Sequence, residues 1–388
     1  VGVARFSNHL PVQISFGVGV VAELADLAAS LGARRPAVIA DPIVLELASV
    51  ISALDGVRDG SDTLTVIPVD RGEPTIDSVD STAARLKQAE ADLIIAIGGG
   101  SAMDTAKGAR LLLNNEGSIT TYTWPGEPAP IAPPSTPLVT IPTTAGTGSE
   151  VTGGVVMTNP RTNLKVAAPS PVNRAEYCLV DPELTLSLPA EPTLWGGLDA
   201  LGQAIGSVVA SVHTPVGDAL GLEAIRLVSR ALPKVMQNLS DLDARADVSC
   251  AALLAGLAMN VSEAGTEHSL AHPLGSLHHL PHGLTVGLML VESMQHDAQF
   301  VADTFERIAD ALGAPTDGTN DGSRAVEAVR RLVGRLALPT LRECGITESD
   351  LPALVESAQA GWIPVEPGPW TSTDIRQAYD RAFAVSDR

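Results

Sequence analysis

Five of the eight histidines fall in one stretch, Glu267 to Gly283, which reads EHSLAHPLGSLHHLPHG. Imidazoles bind transition metals and exchange protons near neutral pH, so the cluster marks a place where either chemistry could be done. His268 and His272 are four residues apart and share one face if the segment is helical. His282 follows a proline and precedes a glycine, the setting of a helix end, from which its side chain can turn back towards the first pair. Two imidazoles on one helix face with a third beyond a turn is metal-site spacing. A solvated, histidine-rich helix end would have the same composition.

Two further stretches bear on phosphate chemistry. The apolar run Asp92 to Ile97 reads as a buried strand, and Gly98, Gly99, Gly100 and Ser101 follow it directly into a helix. Glycines let the backbone approach a phosphate, and a helix N-terminus offers unpaired N–H groups and a positive dipole end. The pattern is neither GxGxxG nor a Walker motif, and a plain tight turn is the alternative. A second strand, Leu138 to Pro142, runs into Thr143, Thr144, Gly146, Thr147, Gly148 and Ser149. Two donor-rich loops, each after a buried strand, predict a polyphosphate or ribose across the strand ends. Asp41 closes another apolar run, Pro36 to Ala40; it is placed to accept from an adenosine ribose or to start a helix before Pro42.

The elements that must position these residues change character along the chain. Strand-like runs at 12–16, 36–40, 64–68, 92–97 and 138–142 alternate with helical segments at 20–31 and 78–90. From about Pro189 the strands stop. Helical patterns follow at 193–210, 215–237, 244–260, 284–296, 297–312, 323–336 and 373–384, with a Gly/Ser/Asp-rich surface loop at 316–323. An α/β domain of 1–187 and an all-helical domain of 188–388 are expected.

The composition bounds the function. At 388 residues two domains are the default, and 45% apolar residues with 3% aromatic ones require a core of Ala, Val, Leu and Ile. A formal charge of −20 argues against nucleic acid, which needs a basic surface. Cys178, Cys250 and Cys344 lie far apart with no CxxC spacing, which fits a reducing cytoplasm. No signal peptide and no apolar run of membrane-spanning length are read, so no membrane partner is expected.

Together these segments resemble the iron-containing (group III) alcohol dehydrogenases, with more distant similarity to maleylacetate reductase and dehydroquinate synthase-like enzymes. IGGGSAMDTAK and IPTTAGTGSEVT resemble the family's two cofactor loops, VDPELT its domain-joining strand, and GLDALGQAI and HSLAHPLG…PHG its two metal segments. The resemblance implies a Rossmann-like dinucleotide-binding domain followed by an all-α domain, with the active site in the cleft between them. It implies hydride transfer between a nicotinamide and a small aldehyde, ketone or alcohol in a homodimer or larger homo-oligomer.

By position, Gly98, Gly99, Gly100, Ser101, Asp104, Thr143, Thr144 and Thr147 would bind the cofactor, and Lys165 would reach its ribose. Asp41 stands where an acid favours NAD over NADP, although Glu73 replaces an asparagine often found in the family. The metal (Fe, Zn or Mn) would be held by Asp199, His268 and His282, with Gln203 where the family has a fourth ligand, a histidine. An amide is the weaker ligand. His272 would relay the proton. Glu263 and Glu267 stand where relatives have small or apolar residues; an acid there could replace the lost ligand, shift the substrate pocket or be solvated. His278 and His279 fall where relatives line the substrate pocket, His278 being the candidate to read an anionic group. Two alternatives remain open at this stage. One is a metal-free reductase of an acidic carbonyl (maleylacetate- or phosphonoacetaldehyde-like), in which His268, His272 and His282 hydrogen-bond the oxyanion. The other is a non-redox, dehydroquinate synthase-like lyase or cyclase.

Overall fold

The apolar runs of the first half become one parallel sheet. The computed structural model describes residues 6–69, 72–162, 164–316 and 318–384; the first five residues and Asp317 of the expected 316–323 loop lie outside these. In chain order the first half runs β1 (Gln13–Phe16), α1 (Leu24–Ser30), β2 (Pro36–Ala40), α2 (Ala48–Asp59), β3 (Thr65–Pro68), α3 (Ile76–Gln88), β4 (Leu93–Gly98) and α4 (Gly100–Asn114). It continues through β5 (Leu138–Pro142), β6 (Val156–Asn159), β7 (Leu164–Ala167) and β8 (Tyr177–Val180). Six strands pair in the order β1-β8-β5-β4-β2-β3, every pair parallel.

Every residue of β2, β4 and β5 is buried, because helices cover both faces of a parallel sheet. Alternate residues divide between the faces. Ala37, Ile39, Ile94 and Ala96 pack under Val79 and Leu86 of α3 and Met103 and Ala106 of α4. Val38, Ala40, Ile95 and Ile97 pack under Leu24 and Ala28 of α1 and Val50 and Leu54 of α2. β3 lies on one side of β2 and β4 on the other, so the winding reverses between β2 and β4. Open α/β sheets bind ligands at the C-terminal strand ends of such a reversal.

Several expectations are corrected. α2 was not read from the sequence: Gly56 interrupts its pattern, and a Cβ there would sit 2.9 Å from the Ala25 side chain. The antiparallel hairpin β6–β7 was also missed. Of VDPELT only Val180 is strand. Asp181 accepts from the Glu183 N–H at 3.1 Å and, with Pro182 unable to donate to a ladder, starts a short 3-10 turn.

The second half is helical: α5 (Ala190–Val209), α6 (Pro215–Gln237), α7 (Leu242–Val261), α8 (Thr266–His278), α9 (His282–Asp297), α10 (Ala302–Ala311), α11 (Ser323–Arg335), α12 (Leu351–Ala360) and α13 (Ser372–Ala384). The expected helix at 297–312 starts only at Ala302, and α12 was not foreseen. By composition α7 is long and apolar enough to cross a membrane, where no such run had been read. Its apolar residues instead pack inside the helical unit, mainly against α6 and α5. The chain divides at Ser187–Leu188 into two compact units, but residues 6–9 group with the helical one rather than with the α/β half. Strand pairing begins only at Gln13, so no ladder ties those residues to the sheet.

Candidate active site

The phosphate-type loops lie together in the α/β unit. Gly98 closes β4 with φ +151°, a conformation L side chains rarely adopt, and a Cβ there would meet Ala102 Cβ at 2.8 Å. A Cβ on Gly99 would lie 3.2 Å from Thr144 Cγ2, and one on Gly100 would lie 3.0 Å from Thr147 Cγ2. The two loops therefore pack on each other, and Thr143 N donates to Gly98 O at 2.9 Å. Asp41 borders them: its N–H donates to Ile97 O at 3.3 Å, while its Oδ1 accepts from Ile43 N at 3.0 Å. The carboxylate closes a turn after β2 rather than capping a helix directly.

Other predicted cofactor residues are engaged within the protein. Ser101 Oγ donates to Gly72 O, tying the start of α4 to the loop at 72–75. Asp104 accepts from Ser149 Oγ and from Val156 N, and pairs with Lys107 Nζ at 2.9 Å. Lys107, 1% exposed, also donates to Ser149 Oγ at 2.7 Å, Ser149 O at 3.1 Å and the carbonyls of Thr152 and Gly154. The sequence reading missed this staple, although an acid and a lysine three apart on a helix was a signal for it. Lys165 pairs with Glu73 at 2.7 Å, and Glu73 also accepts from Thr158 Oγ1 at 3.2 Å. Glu73 thus has a cation and a hydroxyl as partners. Glu150, also missed, is 5% exposed; burial pushes its carboxyl up to about 7 and Lys107 only partly offsets this.

The histidine stretch is two helices. α8 ends at His278, with His279 in the left-handed region at φ 56°, and His282 opens α9 directly after Pro281. A helix end was expected at His282; it is a helix start instead. Pro-His-Gly reads either way, since proline is tolerated at a helix's beginning as well as beyond its end.

Three helices bring three donors together. Asp199 of α5 is 2% exposed, and its Oδ1 lies 3.4 Å from His268 Nε2 of α8 and 3.6 Å from His282 Nε2 of α9. All three ligand atoms lie within 4.8 Å of one another, and among the described residues Asp199 Oδ1 has no hydrogen-bond partner. Donors about 2.0–2.2 Å from an ion in tetrahedral array stand roughly 3.4 Å apart, so the spacing fits a bound ion. Gln203, one turn after Asp199 on α5, is 3% exposed. The His272 ring is 6.2 Å from that of His268 and 5.7 Å from that of His282, beside the donor group but not in it.

Glu267 is neither solvated nor one of the converging donors. It is 3% exposed and its Oε1 lies 2.8 Å from His268 Nδ1. Burial alone would lower the pKa of His268; Asp199 and Glu267 outweigh it and push it up to about 9. Two carboxylates thus flank one imidazole, a field that favours positive charge. Glu263 is exposed in the α7–α8 connection, where local desolvation still raises its carboxyl above the usual range. His278 is half-buried in the last turn of α8, and His279 beyond it is exposed.

A doubly wound parallel sheet and a helical unit that gathers an acid with two imidazoles are the two parts that the comparisons with known proteins match. The chain belongs to the iron-containing alcohol dehydrogenase family: it matches that domain over residues 11–182 and the family's C-terminal domain over residues 193–383. It is 34% identical over 375 residues to long-chain-alcohol dehydrogenase 1 of Geobacillus thermodenitrificans, covering 95% of this chain and 94% of the relative. The crystal structure of a 1,3-propanediol oxidoreductase superposes with a TM-score of 0.92 at 29% identity, covering 98% of this chain and 100% of that one. Sulfoacetaldehyde reductase from Bifidobacterium kashiwanohense, solved in complex with NAD+, superposes at 0.88 with 27% identity, covering 99% of this chain and 100% of that one. The protein is an oxidoreductase.

Proposed function

We propose that this enzyme moves a hydride between C4 of a nicotinamide and the carbonyl carbon of a small aldehyde or ketone, or the reverse from an alcohol. The convergence of His268 Nε2, His282 Nε2 and Asp199 Oδ1 carries the reading. Similarity to enzymes named for a long-chain alcohol, 1,3-propanediol and sulfoacetaldehyde supports the substrate class.

The packed loops at Gly98–Gly100 and Thr143–Thr147 receive the pyrophosphate, using backbone N–H groups at the start of α4 and threonine hydroxyls. Asp41 accepts from the adenosine ribose and repels a 2′-phosphate, which selects NAD over NADP. Lys165, steadied by Glu73, reaches a ribose of the cofactor. Asp104 and Lys107 act indirectly by pinning the second loop to α4. Asp199, His268 and His282 would hold a divalent ion, with the amide of Gln203 as a weaker fourth donor. Such an ion supplies Lewis-acid polarisation of the carbonyl. His272, outside the donor group, gives or takes the hydroxyl proton at a ring nitrogen.

The test combines metal analysis of the purified protein with NADH consumption across a panel of neutral and acidic aldehydes. About one Fe, Zn or Mn per chain and NADH oxidised one for one with aldehyde are expected. Failure to take up any of these metals on titration, or NADH unchanged across the panel, would overturn the reading.

A further inference from the structure

Glu267 is a buried side chain of the histidine stretch whose chemistry the proposed reaction does not use, and the protein makes room for it. A Cβ on Gly206 of α5 would lie 2.6 Å from Glu267 Oε1, and one on Gly265 would lie 2.3 Å from Oε2. A methyl at either position would collide with the carboxylate, so two glycines on separate elements form its socket. Within it Oε1 accepts from Gly265 N at 3.1 Å and sits 2.8 Å from His268 Nδ1. Burying a carboxylate is costly unless it is paired, and here the partner is the far nitrogen of a candidate ion ligand.

We propose that Glu267 is a positioning residue for the ion site: it holds His268 with the proton on Nδ1, leaves Nε2 as the donor facing Asp199 and His282, and strengthens that donor. The inference rests on the ion site proposed above. Carboxylates that accept from the remote nitrogen of a ligating histidine fix its tautomer and raise its basicity. The need follows from Gln203, whose amide is a weaker donor to a divalent ion than an imidazole. A purely structural role is the competing account, since Glu267 also closes the N-terminus of α8 through Gly265.

Zinc affinity separates the two. Glu267→Gln keeps the volume and an acceptor oxygen but removes the charge. The apo protein and the variant are titrated with Zn²⁺ against a chromophoric chelator, and each melt is recorded with and without the ion, so that stabilisation by zinc is referred to each protein's own apo state. We expect about 10- to 100-fold weaker zinc binding in Glu267→Gln, with a correspondingly smaller zinc-induced rise in Tm. Affinity within about twofold of wild type, while His268→Ala loses the ion, would overturn the role of Glu267 and leave the ion site standing. Wild type no better than Asp199→Asn would overturn the ion site itself, and this inference with it. ¹⁵N NMR of histidine-labelled, zinc-loaded wild type gives a check that does not depend on the variant folding. Coordination through Nε2 with Nδ1 protonated is expected; coordination through Nδ1 would refute the proposal.

Discussion

Lys107 is a buried cation that ties α4 to the second small-residue loop. Its ammonium is buried, paired with Asp104 and shared among oxygens of Ser149, Thr152 and Gly154. A hydrogen-bonded ammonium tolerates burial, whereas losing it strands the carboxylate opposite. Lys107→Met is therefore expected to cost about 3–5 kcal/mol in urea unfolding. NADH affinity should fall while zinc affinity stays put, because the loop it holds belongs to the α/β unit and the ion donors do not. Equal losses of both would mean that the lysine serves global stability alone. The Asp104…Lys107 spacing was visible in the sequence, but Asp104 reads there as a cofactor ligand. Only the fold reveals that its oxygens also accept from Ser149 and Val156 and pair with Lys107.

Among the elements, α5 and α11 carry glycines of opposite meaning. In α5 a Cβ at Gly206 would come within 2.3 Å of Gly265 N, a backbone atom that cannot rotate away. Alanine gains roughly 1 kcal/mol of helix propensity over glycine, but overpacking of this kind costs about 1–3 kcal/mol or more. Gly206→Ala should therefore lower Tm. In α11 a Cβ at Gly334 would meet nothing within 4 Å. Gly334→Ala should stabilise by about 0.4–1 kcal/mol in the same denaturation assay. A rise in stability in both variants would show that helix propensity, not close approach, decides these positions. Composition cannot separate the two glycines, because each is a small residue in a helical pattern.

For the whole molecule the consequence is a pH-dependent stability. Asp297 is 3% exposed, accepts from Thr266 Oγ1 and from Trp370 Nε1 at 2.8 Å, and has Glu267 and Glu366 as acidic neighbours. Burial pushes its carboxyl up to about 7, the two hydrogen bonds pulling the other way and the two acids adding to the rise. An acid whose pKa is higher folded than unfolded binds its proton more tightly in the native state. Its contribution is therefore full below about pH 4, is lost as pH rises to about 7, and is constant above. Glu150 adds a term of the same sign. Calorimetry of the metal-free protein between pH 5 and 8 should show a Tm that falls with pH, and a shallower fall in Asp297→Asn, which keeps an acceptor for Trp370. Parallel curves for the two proteins would rule Asp297 out as a source.

By itself the sequence determined the α/β half followed by helices, the two small-residue loops and most helix positions. Those features are local: β2 and β4 are unbroken apolar runs and β5 is interrupted only by Thr140, because a parallel sheet is covered on both faces, and close backbone approach demands glycine. Tertiary structure decided which of the five clustered histidines share a centre. Their separation across Leu280 and Pro281 depends on how α8 ends and α9 begins, and the local signals read in either direction. It also decided the fate of Glu267. Neighbours one apart on a helix do not face each other, so spacing alone does not pair this acid with His268. Only the notch left by Gly206 and Gly265 turns its carboxylate onto Nδ1 of His268.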